Sequence, residues 1–194
     1  MTSNSTDETR ATRNTERTRA AVLGAAAAAM AERGTGVSLS FIARSAGVSK
    51  SGLLHHFPNR DALLTALVED ANRKFRAAVV AHLDLSENTP GKMLRAYVRA
   101  LCSGSEAITQ YFTSAPAWAG IYTVPGVVDL IRADERWWSE QFALDGVDDA
   151  RILVVRRAAE GVAAAITYGD SDSEATRGAR ELLLALAGGA QLPG

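Results

Sequence analysis

Apolar residues recur every three or four positions along most of this 194-residue chain, and no stretch alternates strictly between apolar and polar over a strand's length. Such spacing belongs to helices with one buried face, so the fold class it predicts is all-α. Val22, Ala26 and Met30 mark the first stripe, in a helix expected from about Thr18 to Arg33 and ended by Gly34 and Gly36. Leu39, Ile42 and Ala46 give a short second helix, capped by Ser38 and stopped by Gly47. Ser49 opens a third helix, Lys50 to His56. Pro58 halts it by disfavouring helical geometry at Phe57 and offering no amide donor. Asn59 caps a fourth over roughly 60–83, striped by Leu63, Leu67, Phe75, Val79 and Leu83. Beyond SENTPG (86–91), helices are expected near 91–103, 106–122, 127–143, 149–168 and 173–188, with a Pro125-Gly126 break and an LDGVDD turn between them. No internal repeat is visible.

The first 17 residues, MTSNSTDETRATRNTER, have almost nothing apolar to set against the entropy of ordering, which predicts a flexible arm over 1–16. A short helical module over 17–62 and a larger helical domain over 63–194 complete the expected organisation.

Composition changes this picture in three ways. The net charge of −1 hides an asymmetry: residues 1–60 hold eight Arg/Lys against four Asp/Glu, a net +4, and residues 61–194 hold thirteen against eighteen, a net −5. A basic N-terminal portion is suited to a polyanion. One cysteine, Cys102, cannot form an internal bridge, and a reducing, cytoplasmic setting is the simplest reading. No apolar run reaches the length of a membrane span. The stretch AAVLGAAAAAMA (20–31), preceded by Arg17 and Arg19, has the length of a secretory core, but its helical spacing and alanine content suit a packed helix.

The segment AGVSKSGLLHHF (46–57) carries the function. Two short helices joined by a tight turn at a glycine form a helix-turn-helix, whose second helix can enter the DNA major groove while the first crosses the backbone. Gly47 lets the chain reverse, and Val48 is placed to plug the space between the helices. The third helix's N-terminus offers amides and a partial positive charge to phosphate. Leu53 and Phe57, four apart, should face inward, leaving Lys50, Ser51, Leu54 and His55 on the outer side to differing degrees.

Over residues 34–64, GTGVSLSFIARSAGVSKSGLLHHFPNRDALL, the chain resembles the DNA-binding segment of the tetracycline-repressor (TetR) family. The resemblance rests on Ile42-Ala43, the Ala46-Gly47-Val48-Ser49 turn, Leu53, His56-Phe57-Pro58 and Arg60-Asp61-Ala62-Leu63, in the family's order and spacing. It implies a three-helix DNA-binding head followed by a larger helical domain for ligand binding and dimerisation. It further implies phosphate contacts from Ser38, Arg44 and Arg60, and base reading by Lys50, Ser51 and His55, with Ser49 and His56 beside them. Each serine serves equally well as a plain N-cap, and His56 either packs or meets the backbone beside Phe57. Gly52 and Leu54 depart from the family, which often has threonine and tyrosine there for backbone contact. Either Ser51 and His55 take over that contact, or Leu54 makes an apolar one such as with a thymine methyl.

In the larger domain, Ile152, Val155, Ala159, Val162 and Ile166 fall at spacings of three and four, echoed more weakly by Ala175, Ala179, Leu182 and Leu186. The resemblance implies that these two last helices pair with a second copy, so Ile152, Val155, Ala159, Val162, Ile166, Ala179, Leu182 and Leu186 are the expected homodimer seam; an intramolecular core is the alternative. Aromatic residues precede it. The resemblance implies an inducer pocket here, with Tyr97, Phe112, Trp118, Tyr122, Trp138 and Phe142 as its candidate wall and Glu106 or Asp129 as acids nearby. No nucleophile elbow, phosphate-binding glycine loop, catalytic pair or metal-ligand spacing appears, and His55 and His56 point about 100° apart, a poor pair for a metal. The expected protein is thus not an enzyme and needs no cofactor or metal. It is a cytoplasmic regulator whose partners are a double-stranded DNA operator, a small-molecule inducer and its own second copy. The rival class is a small helical enzyme or a non-DNA interaction protein.

Overall fold

The computed structural model describes residues 3–114, 120–171 and 173–190, with the backbone alone for 3–9 and 11. Among the described residues the chain forms nine α-helices and no strand: α1 (Ser3–Arg33), α2 (Leu39–Ser45), α3 (Lys50–His56), α4 (Arg60–Val80), α5 (Lys92–Leu101), α6 (Glu106–Ser114), α7 (Pro125–Ala143), α8 (Asp149–Thr167) and α9 (Glu174–Ala187). None is long and apolar enough to cross a membrane. The helices form two compact units, Met1–Asp70 with Ala117–Leu130, and Ala71–Pro116 with Ile131–Gly194.

In the first unit, α1 starts about fifteen residues before the expected Thr18. The arm expected over 1–16 is helical from Ser3. Residues 12–17 are exposed, and local bonds support the turn there: Arg17 Nη2 donates to Asn14 Oδ1 (2.9 Å) and Thr18 Oγ1 to the Asn14 carbonyl (3.0 Å). A helix can therefore persist without a core beneath it where side chains meet at three- and four-residue spacing. From Val22 onward α1 buries Val22, Ala26 and Met30, as its stripe predicts. Ile42, Leu53, Phe57, Leu63 and Leu67 are buried in the same unit, together with Ile121 and Val127 from the later segment.

The second unit is organised by α5, which packs against α8 and α9 and is buried on nearly every side. Its start is fixed from afar. The Asp145 carboxylate accepts from Met93 N and Leu94 N (2.8 Å each), and the Asp145 carbonyl from Gly91 N (2.8 Å). Gly91 has φ +84°, and a Cβ there would overlap the Ala187 carbonyl, so no other residue fits. Buried Arg95 binds Glu87 Oε2 (3.0 Å), Thr89 Oγ1 (2.8 Å), the Pro90 carbonyl (2.8 Å) and the Ala187 carbonyl (3.4 Å). Arg99 adds a 2.6 Å bond to Glu87 Oε1. These guanidinium contacts, Arg99's first, hold the Glu87 carboxyl below its ordinary range against the opposing effect of burial.

Three boundaries differ from expectation. α4 stops at Val80, with Leu83 in the following turn still packed on the core. α6 is described from Glu106 to Ser114, and the helix expected to 122 does not reach that far: Gly120 and Ile121 are 3₁₀ in conformation and Tyr122 lies in a turn. Pro125 opens α7 instead of interrupting it, because a missing amide is harmless in a helix's first turn.

Candidate functional site

The turn between α2 and α3 is closed by Gly47 at φ +70°, with Val48 N donating to the Ala43 carbonyl (3.0 Å) and Gly47 N to the Arg44 carbonyl (3.0 Å). This is a Schellman ending, which a left-handed glycine permits at little cost. Val48 is half-buried beside it. Ser38 caps α2 by accepting from Phe41 N (3.2 Å), and Ser49 caps α3 by accepting from Gly52 N (3.0 Å) while its hydroxyl lies 3.0 Å from that of Ser51. Asn59 caps α4 through Ala62 N (2.8 Å). Phe57 is extended (φ −136°, ψ 94°), as the residue before a proline must be.

These caps fix which side of α3 faces out. Leu53 and Phe57 are buried, whereas Lys50, Ser51 and His55 are exposed and Leu54 and His56 half-exposed. Arg44 is exposed on α2, 6.0 Å from the Phe41 ring, whose other neighbour is Arg33 at 4.4 Å. His56 lies between the His55 ring (5.6 Å) and that of Phe57 (6.3 Å). Arg60 is half-buried, and its Nη1 donates to the Val37 carbonyl (2.6 Å), so it ties α4 to the loop before α2. No sequence pattern announced that role. The remaining guanidinium donors are a second resource.

The second unit holds a cavity of about 190 Å³ bounded by α4, α5, α6, α7 and α8. Tyr97, Phe112 and Trp138 line it, as expected, together with Phe75 and Tyr111. Phe75 stacks on Tyr111 (4.5 Å) and meets Tyr97 and Trp138 edge-on at 5.9 and 5.8 Å. Phe142 is not lining: buried behind the wall, it stacks on Trp138 (5.5 Å). Tyr122 is a correction. It is 49% exposed in the turn before α7, within the first unit, where no helix face directs it inward. Trp118 lies outside the described residues. Glu106 and Asp129 are exposed and do not line the cavity, whose acids are Asp134, Glu135 and Glu160.

Charges in this wall are matched unequally. Glu160 accepts from the Tyr97 hydroxyl (3.0 Å) and from Arg157 Nη1 (2.8 Å), and Asp134 from Arg76 Nε (2.7 Å). Burial pushes the Tyr97 phenol well above its ordinary range, and the neighbouring Glu160 carboxylate adds to the effect, so the hydroxyl remains a donor. Arg156 is only 8% exposed, with its guanidinium carbon 5.2 Å from the Phe142 ring centre and 5.8 Å from that of Tyr97. Its pairing with Glu135 is loose (3.6 Å), and its buried Nε has no hydrogen-bond partner. The signal for Arg156 was present in the sequence, since it stands four residues after Ile152 and three before Ala159, on the seam itself.

The expected dimer seam requires a second correction for all of its residues but Ala179 and Leu182. Ile152, Val155 and Ala159 are buried within their own chain, and Val162, Ile166 and Leu186 are half-buried against the same core, so this is the face α8 and α9 turn to their own unit. A stripe at three- and four-residue spacing identifies a packing face without naming what packs on it. The apolar residues left outside are Leu153 (55% exposed), Val154 (60%) and Leu182 (43%), next to exposed Ala158, Gly161 and Gly178, with Ala179 half-buried.

Two family models match the chain: bacterial regulatory proteins of the tetR family over residues 22–67, and the tetracyclin repressor-like C-terminal domain over residues 91–188. The chain belongs to the tetracycline-repressor family. Solved structures agree on the fold of this TetR-family chain. A transcriptional regulator from Rhodococcus sp. Rha1 is 21% identical, with 89% of this chain and 95% of that one aligned at a TM-score of 0.68. A TetR-family member from Streptomyces coelicolor A3 is 21% identical over 87% and 97%, TM-score 0.66. The multidrug binding protein EbrR, solved with ethidium, is 21% identical over 87% and 97%, TM-score 0.62. A comparison with curated proteins finds no match. The family assignment places the α2–α3 pair in the N-terminal DNA-binding module and the cavity wall, Phe75 apart, in the C-terminal domain.

Proposed function

We propose that the protein is a dimeric, ligand-responsive transcriptional regulator that represses by binding a palindromic operator and lets go when a small aromatic molecule fills the cavity of its second unit. The observation that carries the reading is the outward face of α3, where Lys50, Ser51 and His55 stand exposed on a helix anchored by buried Leu53 and Phe57. Those three side chains read bases, while Arg44, the free donors of Arg60 and the hydroxyls of Ser38 and Ser49 meet phosphates. Leu54 and His56 lie at the edge of the contact.

The inducer side is supported by EbrR, a multidrug binding protein of similar fold solved in complex with ethidium and with imidazole, both aromatic. α4 supplies the coupling: it begins at Arg60 and carries Phe75 in the cavity wall. Inducer acts only through its differential affinity for the DNA-bound and released forms, so DNA weakens inducer binding by the same factor. Dimerisation uses the exposed register of α8 and α9, Leu153, Val154, Ala158 and Leu182, in place of the buried one.

Selection from random duplexes should return an inverted repeat with half-sites about one helical turn (~34–36 Å) or more apart. Lys50→Ala and His55→Ala should each weaken binding to it, by about 1–3 kcal/mol where a base contact is lost. Val154→Asp should give folded monomers by light scattering, whereas Val155→Asp should not fold. Non-palindromic selection, or a Val154→Asp dimer, contradicts the reading.

A further inference from the structure

The cavity wall contains one charged group whose bonding is incomplete. Glu160 and Asp134 each accept from a guanidinium, and Glu160 from the Tyr97 hydroxyl as well. Arg156 differs: its Nε is buried without a hydrogen-bond partner, and its nearest carboxylate, Glu135, is 3.6 Å away and half-exposed to solvent. A buried guanidinium donor lacking an acceptor costs more than a neutral one, and a ligand that completes the guanidinium's bonding recovers part of that. Around it stand Phe75, Tyr111, Phe112 and Trp138, flat apolar surfaces suited to a ring. At about 190 Å³ the space is below the ~300–1,000 Å³ of drug-sized pockets, so it suits one or two rings.

Resting on the reading of this cavity as the effector site, we infer that its ligand is a small aromatic carboxylate, with the ring against Phe75 and Trp138 and the carboxylate paired with Arg156. Pairing with the ligand replaces the loose Glu135 contact and leaves that half-exposed carboxylate to water. A planar guanidinium and a carboxylate match as a two-bond fork, which a neutral amide cannot reproduce and an ammonium opposes. The wall's other guanidinium, Arg157, is occupied by Glu160, and its carboxylates Asp134 and Glu160 are themselves paired, with Arg76 and with Arg157 and the Tyr97 hydroxyl.

Calorimetric titration of the full-length protein with 2-naphthoate, 2-naphthamide and 2-(aminomethyl)naphthalene tests this, each alone near neutral pH. Naphthoate should bind about tenfold or more tighter than either isostere. Arg156→Gln should abolish that preference while leaving naphthamide affinity within about twofold. Glu135→Gln, at a half-exposed site that tolerates change, should strengthen naphthoate binding by removing a competing carboxylate, and so tests the pairing even if Arg156→Gln does not fold. Tighter binding of the ammonium, equal binding of all three, binding of none, or a Glu135→Gln protein with weakened naphthoate affinity overturns the inference. Operator affinity is measured separately with each compound. If naphthoate binds through Arg156 but leaves operator affinity unchanged, the carboxylate site stands and the inducer reading fails. If operator is released without preference for the carboxylate, the inducer reading stands and the carboxylate site fails.

Discussion

In the unit that holds α2 and α3, the capping hydrogen bonds reach three residues along the chain, from Ser38 to Phe41, Ser49 to Gly52 and Asn59 to Ala62; the Arg60 to Val37 bond spans 23, and a loose, exposed Arg19–Glu69 pair 50. In the unit that holds α5 and α8, Asp148 and Ser173 cap α8 and α9 over the same three residues, but other side-chain bonds reach across 52 residues (Asp145 to Met93, the cap of α5), 58 (Arg76 to Asp134), 63 (Tyr97 to Glu160) and 92 (Arg95 to Ala187). The first unit caps α2, α3 and α4 from within each turn, and Lys50, Ser51 and His55 stay exposed with no side-chain bond beyond neighbouring residues of the same segment. The second buries charges and must match them from distant parts of the chain. Removing one partner there strands another away from water, a heavier penalty than losing a surface cap.

The sharpest way to break this contrast is to place the same methyl group in both units. Gly91→Ala meets the Ala187 carbonyl at a backbone conformation that alanine resists, and should cost on the order of 3–5 kcal/mol in denaturant unfolding. Gly47→Ala is also at positive φ but faces open space, and should cost only about 1–2 kcal/mol. Equal losses would show that the second unit yields where it is expected to be rigid.

A smaller effect is expected at Glu87. Its folded pKa lies below the ordinary 4.5, so its stabilising contribution is present in full above that pH and is lost as pH falls through the lower, folded value. Glu87→Gln should therefore cost about 1.5–3 kcal/mol at neutral pH, and the difference from wild type should shrink in acid below about pH 4.5. A difference that persists undiminished at low pH would assign the effect to packing. Least of all, Ser49→Ala should cost about 1 kcal/mol, the usual loss for an N-cap, with no comparable pH dependence below neutrality.

The same contrast explains how far the sequence could be read. Caps, the Gly47 turn and the inward pair Leu53 and Phe57 are separated by a few residues, so their geometry is written in adjacent letters, and α2 and α3 appear where spacing predicts them. The cavity was legible only in part. Tyr97, Phe112 and Trp138 belong to it, but which aromatics converge depends on how α4 to α8 pack, and Tyr122 showed no local mark of lying elsewhere. The α8 stripe was correctly seen as a packing face. Its partner was mistaken, because Val155 carries no sign of whether α5 or a second copy covers it. The helical start of α1 was missed because a stretch with almost no apolar residues looks unstructured, although Asn14, Arg17 and Thr18 sit at spacings that support a turn.

The cap that Asp145 places on α5 also has a timetable. A ribosome that has just made Leu94 must add 51 more residues before the carboxylate awaited by Met93 and Leu94 exists, roughly 3–10 s at ~5–20 residues per second. Until then those amides have only water to bind, and the apolar sides of α5 have neither α8 nor α9 to cover them. For that interval the nascent chain presents to chaperones and to other nascent chains a helix that ends up buried on nearly every side. Slower codons between residues 94 and 145 would lengthen this exposure without altering a single atom of the finished fold.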